Sequence, residues 1–251
     1  MCDACALARA EATRYNGDAK GALAILDGLP DDRNAPNAYR NAGILYREIG
    51  ERLASHGPTA SAAAGTSPES WYRKSLAALL RSERIELAWN AQYRAENPKW
   101  RDRGLTSVPG DLYLALGRTY LRLGDTAGAV AALEKGRRLG SDPDLLEELA
   151  GAYRTAGEPR KAVQAMVEAL AVDPSRSQLN AQLLDLYQQI DPQGCSVSHE
   201  GGSASLNVDC PLVHGDICAA SQNVENNYLR RGQTYEAGEI HRVATGQLGC
   251  P

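Results

Sequence analysis

Six cysteines are the residues of this 251-residue chain best suited to covalent chemistry, and Cys195, Cys210, Cys218 and Cys250 fall in its last quarter. Thiols so placed could hold a metal or form disulfides. A zinc site built with His199, His214 or His241 would lack the closely paired ligands that such sites use. Disulfides fit the spacing better. Cys195, Val197 and His199 alternate with polar residues, as do Leu206, Val208 and Cys210. A two-residue turn at Gly202-Ser203 would fold this stretch into a β-hairpin, with Val197 opposite Val208 and Cys195 opposite Cys210. That register makes 195/210 a hydrogen-bonded pair, a less comfortable place for a bridge, so a Cys210–Cys218 pairing stays open. Cys218 starts and Cys250 ends the last helix pair. The two ends of an antiparallel hairpin meet, so Cys218–Cys250 is the natural second bridge. Cys2-Asp3-Ala4-Cys5 has redox spacing without the strand-then-helix setting, and reads as a local disulfide or an inter-subunit contact.

Other chemistry is sparse. Asp31, Asp32 and Asn34, Asp142 with Asp144, and Asp209 and Asp216 offer oxygen ligands, but none follows a twelve-residue calcium loop. Such residues ordinarily cap helices and turns. Asp31, Asp32 and Asn34 are kept as candidates for structural calcium, and no other cofactor is expected. No nucleophile-base-orienter set, phosphate loop or paired acid motif is present, so the chain does not read as an enzyme.

The net charge is −4, hydrophobic residues make up 43% and charged ones 23%, which fits a folded protein and not a general nucleic-acid binder. All three tryptophans, Trp71, Trp89 and Trp100, fall within thirty residues, joined by Tyr72 and Tyr93. Arg81, Arg84 and Arg94 lie nearby. Aromatic and basic residues together could stack on bases. Packing ranks first for these five aromatics and a protein interface next; a nucleic-acid partner is not expected. No apolar window is long enough to span a membrane. Met1 to Cys5 lacks a basic and an apolar leader region. Cysteine usage therefore points to an extracytoplasmic or secreted protein whose numbering begins after a removed leader.

The elements that carry these residues are helices, broken at regular points. Leu116-Gly117, Tyr120, Gly124-Asp125 and Ala129 return 33 residues later as Leu149-Ala150, Tyr153, Gly157-Glu158 and Ala162. Weaker copies read Ala42-Gly43, Tyr46, Gly50-Glu51, and Tyr228, Gly232-Gln233, Ala237, with a first at Ala10, Gly17-Asp18, Ala22. A repeat of this period means stacked helical hairpins. Apolar spacing predicts helices over 37–56, 69–96 and 177–190 and hairpins over 3–28, 111–139, 142–172 and 217–249. Two stretches break the pattern. Residues 57–68 are small and aperiodic and read as an inserted loop; 191–216 carry the cysteine-bounded hairpin.

These residues resemble the tetratricopeptide repeat family, strongly over 111–174. The resemblance implies antiparallel helix pairs stacked into a right-handed superhelix with a concave binding face. Fold class is thus an all-α, right-handed α-solenoid with a small disulfide-braced β-hairpin insertion near the C-terminus. Its regions are 1–190 (repeats with the 57–68 insertion), 191–216 (hairpin) and 217–251 (a last repeat-like hairpin). The inner face implied by the resemblance carries Leu114, Arg118, Arg122, Glu147, Glu148, Gln178 and Gln182. The Lys, Asn and Arg cluster by which family members grip acidic chaperone tails is incomplete here. Arg118, Arg122 and Arg154, with Glu147, remain candidates for holding an anionic peptide group, although such residues ordinarily line a solvated wall. The expected function is a non-enzymatic scaffold for protein–protein interaction outside the cytoplasm. It would self-assemble into a homo-oligomer or filament through poorly capped ends. The alternative is a peptide-binding adaptor, or the repeat portion of a larger membrane-associated enzyme complex.

Overall fold

The structure, a computed structural model, describes residues 36–55, 67–97, 109–173, 176–190, 197–200, 203–206, 211–230 and 232–246, with Gln193, Cys250 and scattered positions between 6 and 25. The expectations resting on Asp31, Asp32, Asn34, Trp100, Cys195, Cys210 and the 57–66 stretch lie outside the described residues. The chain divides into two compact units, Met1–Asp125 and Thr126–Pro251.

In the first unit, α1 (Pro36–Ser55) and α2 (Pro68–Glu96) form the main pair, and α3 (Gly110–Arg122) packs against both. Helix α2 begins where Ser67 Oγ accepts a hydrogen bond from the Ser70 amide at 3.2 Å, with Pro68 in the first turn. Such a cap satisfies a donor that the first turn leaves unpaired. The pair is antiparallel: Gly50 lies over Tyr72, Gly43 over Leu79, and Ser82 Oγ donates to the Pro36 carbonyl at 2.9 Å. The contact is close because it is made by glycine. A Cβ at Gly43 would stand 2.5 Å from Leu79 Cγ, and one at Gly50 2.5 Å from Tyr72 Cε1. Gly50 matches the turn glycine of the sequence repeat, yet α1 runs through it to Ser55. Its role is helix approach. The described residues at 10 and 22, both alanines, cluster with Leu45, and Tyr46, Ile49 and Trp71 pack around them.

In the second unit, α4 (Thr126–Arg137), α5 (Pro143–Thr155), α6 (Pro159–Val172) and α7 (Ser177–Ile190) pack in succession. Asp142 Oδ1 caps α5 by accepting from the Leu145 amide at 3.0 Å. Leu146, Ala169 and Leu179 form a core cluster joining α5, α6 and α7. Helix α8 (Pro211–Arg230) packs on α6, and α9 (Thr234–Gly246) packs on α8.

Three turns share one chemistry. Gly124, Gly157 and Gly232 have φ of 74°, 75° and 74°. Two residues of each turn donate backwards: Asp125 to Tyr120 O at 3.0 Å, Glu158 to Tyr153 O at 2.9 Å and Gln233 to Tyr228 O at 3.0 Å, and the glycine amides to Leu121 O, Arg154 O and Leu229 O. This is a Schellman close, which needs a left-handed residue after the helix and so favours glycine there.

The helical-hairpin architecture stands, but the disulfide-braced β-hairpin does not. Cys218 and Cys250 are bonded, Cα atoms 5.3 Å apart, and the region they close is helical: α8 and α9. Ahead of that region, β1 (Val197–Glu200) and β2 (Ser203–Leu206) form a short antiparallel ribbon beside α7. Its register sets Val197 opposite Leu206 and Glu200 opposite Ser203, whereas the sequence reading set Val197 opposite Val208. The displacement is two residues, so the alternation of faces survives it. The innermost pair is Glu200 with Ser203, so Ser203 belongs to β2 and not to the turn expected at Gly202-Ser203. With that register goes the reason for setting Cys195 opposite Cys210.

Candidate functional site

The C-terminal turn of α5 and one face of α7 enclose a cleft of about 750 Å³ in the second unit. Gly151, Arg154 and Thr155 line it from α5, and Gln182, Asp185 and Gln189 from α7. The α7 residues recur at steps of three and four, which puts them on one face of a helix. Gly157 from the turn after α5, Pro159 from the start of α6 and Leu186 from α7 complete the lining. Across the cleft, Arg154 Nη1 donates to Gln182 Oε1 at 3.0 Å. This contact positions the guanidinium without neutralising it, since the amide is uncharged. A second hollow of about 530 Å³ adjoins, sharing Pro159 and Gln189 and adding Arg160, Lys161 and Ile190. Lys161 forms an ion pair with Glu158, and its ammonium also stands 5.3 Å from the Tyr153 ring centre.

The second unit also holds a partly buried ionic network. The Arg137 guanidinium forks onto Glu168, with Nε donating to Oε2 at 2.9 Å and Nη2 paired to the other oxygen. Its Nη1 donates to Glu134 Oε1 at 3.0 Å, and Tyr153 Oη donates to the same oxygen at 2.7 Å. Glu168 is fully buried. Burial, then the hydrogen bond to Glu134 and its charge, push the Tyr153 phenol up. The network ties α4 to α5 and α6.

The four groove residues of the sequence reading are divided between the two units. Arg118 and Arg122 belong to the first unit, Glu147 and Arg154 to the second. Arg122 Nε donates to Glu51 Oε1 at 2.8 Å, and Arg47 forks onto the same carboxylate from one turn away. Burial works to raise the Glu51 pKa, but the Arg122 hydrogen bond and the two cations outweigh it and hold the carboxyl below its usual range. Glu147 accepts from Arg176 Nη1 at 2.8 Å, and Arg176 also engages Asp144 and Asp173. Of the four, Arg154 faces the cleft. Asp185, Gln189 and Thr155 were not singled out in the sequence. The steps from Gln182 to Asp185 to Gln189 on one helix face were the available signal.

The aromatic candidates divide likewise. Trp71 packs into the α1–α2 core, its ring centroid 5.8 Å from that of Tyr46, and Tyr72 is buried under Gly50. Trp89 and Tyr93 stand 43% and 53% exposed on the later turns of α2. Among the described residues no helix is long and apolar enough to cross a membrane, and no three His, Cys, Asp or Glu side chains gather as a metal site.

Residues 110–136 match the tetratricopeptide repeat family. The chain carries a tetratricopeptide repeat. No curated protein sequence matches the chain. Among solved structures, it is similar to a MamA protein at 16% identity and a TM-score of 0.48, over 96% of this chain and 89% of that one. It is also similar to a thermophilic TPR protein of Thermus thermophilus, at 18% identity and a TM-score of 0.37, over 74% and 98% of the two chains. A third is the C-terminal part of a TPR repeat-containing protein from Cytophaga hutchinsonii, at 17% identity and a TM-score of 0.35, over 96% of each chain. All three TM-scores lie below 0.5, so the assignment rests on the repeat itself. Tetratricopeptide repeats generally act as non-catalytic scaffolds for protein–protein interaction, and residues 110–136 of this chain match one.

Proposed function

We propose that this tetratricopeptide repeat protein is an extracytoplasmic adaptor that binds an extended peptide segment in the α5–α7 cleft. The observation that carries the reading is the cleft itself, about 750 Å³ and lined by Arg154, Gln182, Asp185 and Gln189. Its volume is that of a ligand site, and its converging polar groups can orient a chain. The disulfide between Cys218 and Cys250 supports a location outside the cytoplasm, because such bonds persist in oxidising compartments. Titration of the isotope-labelled protein with a pool of random octapeptides tests the reading. The amide signals of Gly151 and Thr155 should shift, and an Arg154→Ala, Gln189→Ala variant should lose the effect. Shifts confined to other helices, or none, would reject it.

A second reading is self-assembly through the ends of the repeat array into a homo-oligomer or filament. It is favoured by Tyr235 and Leu229, 77% and 48% exposed where α8 turns into α9. The rest of the exposed α9 surface is polar, with Arg242 paired to Glu239 and His241 beside Glu225. Light scattering across a concentration series, with and without calcium, tests it. Growth in mass that a Tyr235→Ser, Leu229→Ser variant abolishes would support assembly, and a constant monomer mass would refute it.

A further inference from the structure

The cleft reading leaves open what kind of segment fits, and the charges around the cleft narrow it. Lys161 and Glu158 satisfy each other. Glu147 and Asp144, earlier on α5, are held by Arg176. Arg160 lines only the adjoining hollow. Two charged groups of the cleft proper are then left without an ionic partner among the described residues. Arg154 is held by a neutral amide, and Asp185 is exposed on α7. One is a cation and the other an anion. A wall with both signs repels part of any ligand that carries only one.

Their spacing can be estimated from the helix that anchors both. Arg154 is tethered at Gln182, and Asp185 lies three residues further along α7. Three residues of helix rise about 4.5 Å. An extended chain advances about 3.3 Å per residue, and alternate side chains point the same way, about 6.6 Å apart. Side chains two positions apart on an extended segment therefore match the two charges once their reach is included. Gln189, one turn beyond Asp185, offers an amide donor and acceptor to the segment's backbone.

We infer that the α5–α7 cleft selects an extended peptide in which a lysine or arginine and an aspartate or glutamate stand two residues apart. The basic side chain meets Asp185 and the acidic one meets Arg154. This rests on the cleft being a peptide site. It excludes the uniformly acidic tail that a groove lined by arginines alone would prefer.

Three fluorescein-labelled octapeptides of alanine and glycine test it by anisotropy with the full chain. One carries lysine and glutamate two apart, prepared in both orders; one carries two glutamates at those positions; one carries two glutamines. The mixed-charge peptide, in its better order, should bind about tenfold more tightly than the two-glutamate peptide and about fivefold more tightly than the neutral one, as expected for solvent-accessible charge pairs. Asp185→Lys should reverse the ranking of the mixed-charge and two-glutamate peptides. Asp185→Asn should bring them within about twofold. These variants lie at an exposed position, and unchanged thermal midpoints would show that they fold. Equal binding of all three peptides, lost in the Arg154→Ala, Gln189→Ala variant, would overturn the charge rule and leave the cleft reading standing. Absence of binding by every peptide would remove both.

Discussion

Between α1 and α2, two helices come so close that Gly43 and Gly50 leave no room for a methyl group. Among α4, α5 and α6 the corresponding work is done at a distance, by Arg137 reaching to Glu168 and Tyr153 to Glu134. The same helical-hairpin plan is thus fastened sterically between α1 and α2 and ionically among α4, α5 and α6. A steric fastening is sensitive to added volume and indifferent to charge. An ionic one is sensitive to the loss of a partner, because a buried charge left alone keeps its desolvation cost. Two helical-hairpin assemblies in one chain can therefore respond oppositely to the same kind of substitution.

The strongest break in that contrast is Glu168→Ala. It takes from Arg137 its fully buried partner, leaving Glu134, and should lower stability by about 3 kcal/mol in urea melts. Replacing the pair together, as Arg137→Met with Glu168→Leu, should cost much less. An equal loss in the double variant would show that packing around Glu168, and not its charge, matters. Next comes the covalent fastening of α8 to the end of α9: Cys218→Ser should cost about 2–4 kcal/mol, read under non-reducing conditions. Gly50→Ala should then cost about 1–3 kcal/mol through the clash with Tyr72. Gly151→Ala, where an added Cβ meets nothing within 4 Å, is its neutral counterpart. If the two alanine variants melt alike, the close approach of α1 and α2 is not a constraint. The smallest effect is a pH dependence at Glu51. Its folded pKa is lowered. Its contribution is therefore complete above the ordinary carboxylate pKa of about 4.3 and is lost as pH falls through the lower folded value. For so accessible a group the amount is under about 1 kcal/mol. Thermal midpoints from pH 6 down to pH 3 should fall less steeply in Glu51→Gln than in the parent.

The turns were the most legible part of the sequence. Gly124, Gly157 and Gly232 stand where a left-handed residue must, and a glycine followed by Asp, Glu or Gln at that spacing marks them. Gly50 shows the limit of the same signal. A glycine that permits a turn and one that permits two helices to touch look identical in sequence, and the difference lies in a partner helix about 20 residues away. The hairpin register failed for a related reason: Gly201-Gly202 and Gly202-Ser203 are both acceptable loops, and the alternation of side chains is the same in either. The cleft was half legible. Arg154 and Gln182 could be assigned to an inner face, but Arg122 could not be seen to be engaged by Glu51, since that contact spans 71 positions of sequence. Ion pairs between long side chains depend on tertiary placement that no local pattern encodes.

The bond between Cys218 and Cys250 also fixes how the protein carries load. A pull applied beyond Cys250 does not reach α9 first. It passes through the sulfur atoms to Cys218 in α8, and from there to the contact of α8 with α6. The segment between the two cysteines, α9 included, is bypassed and bears no tension. Under reducing conditions the same pull would peel α9 from α8 turn by turn. In the oxidised protein, yielding has to begin instead where α8 meets α6, next to the helices that frame the cleft.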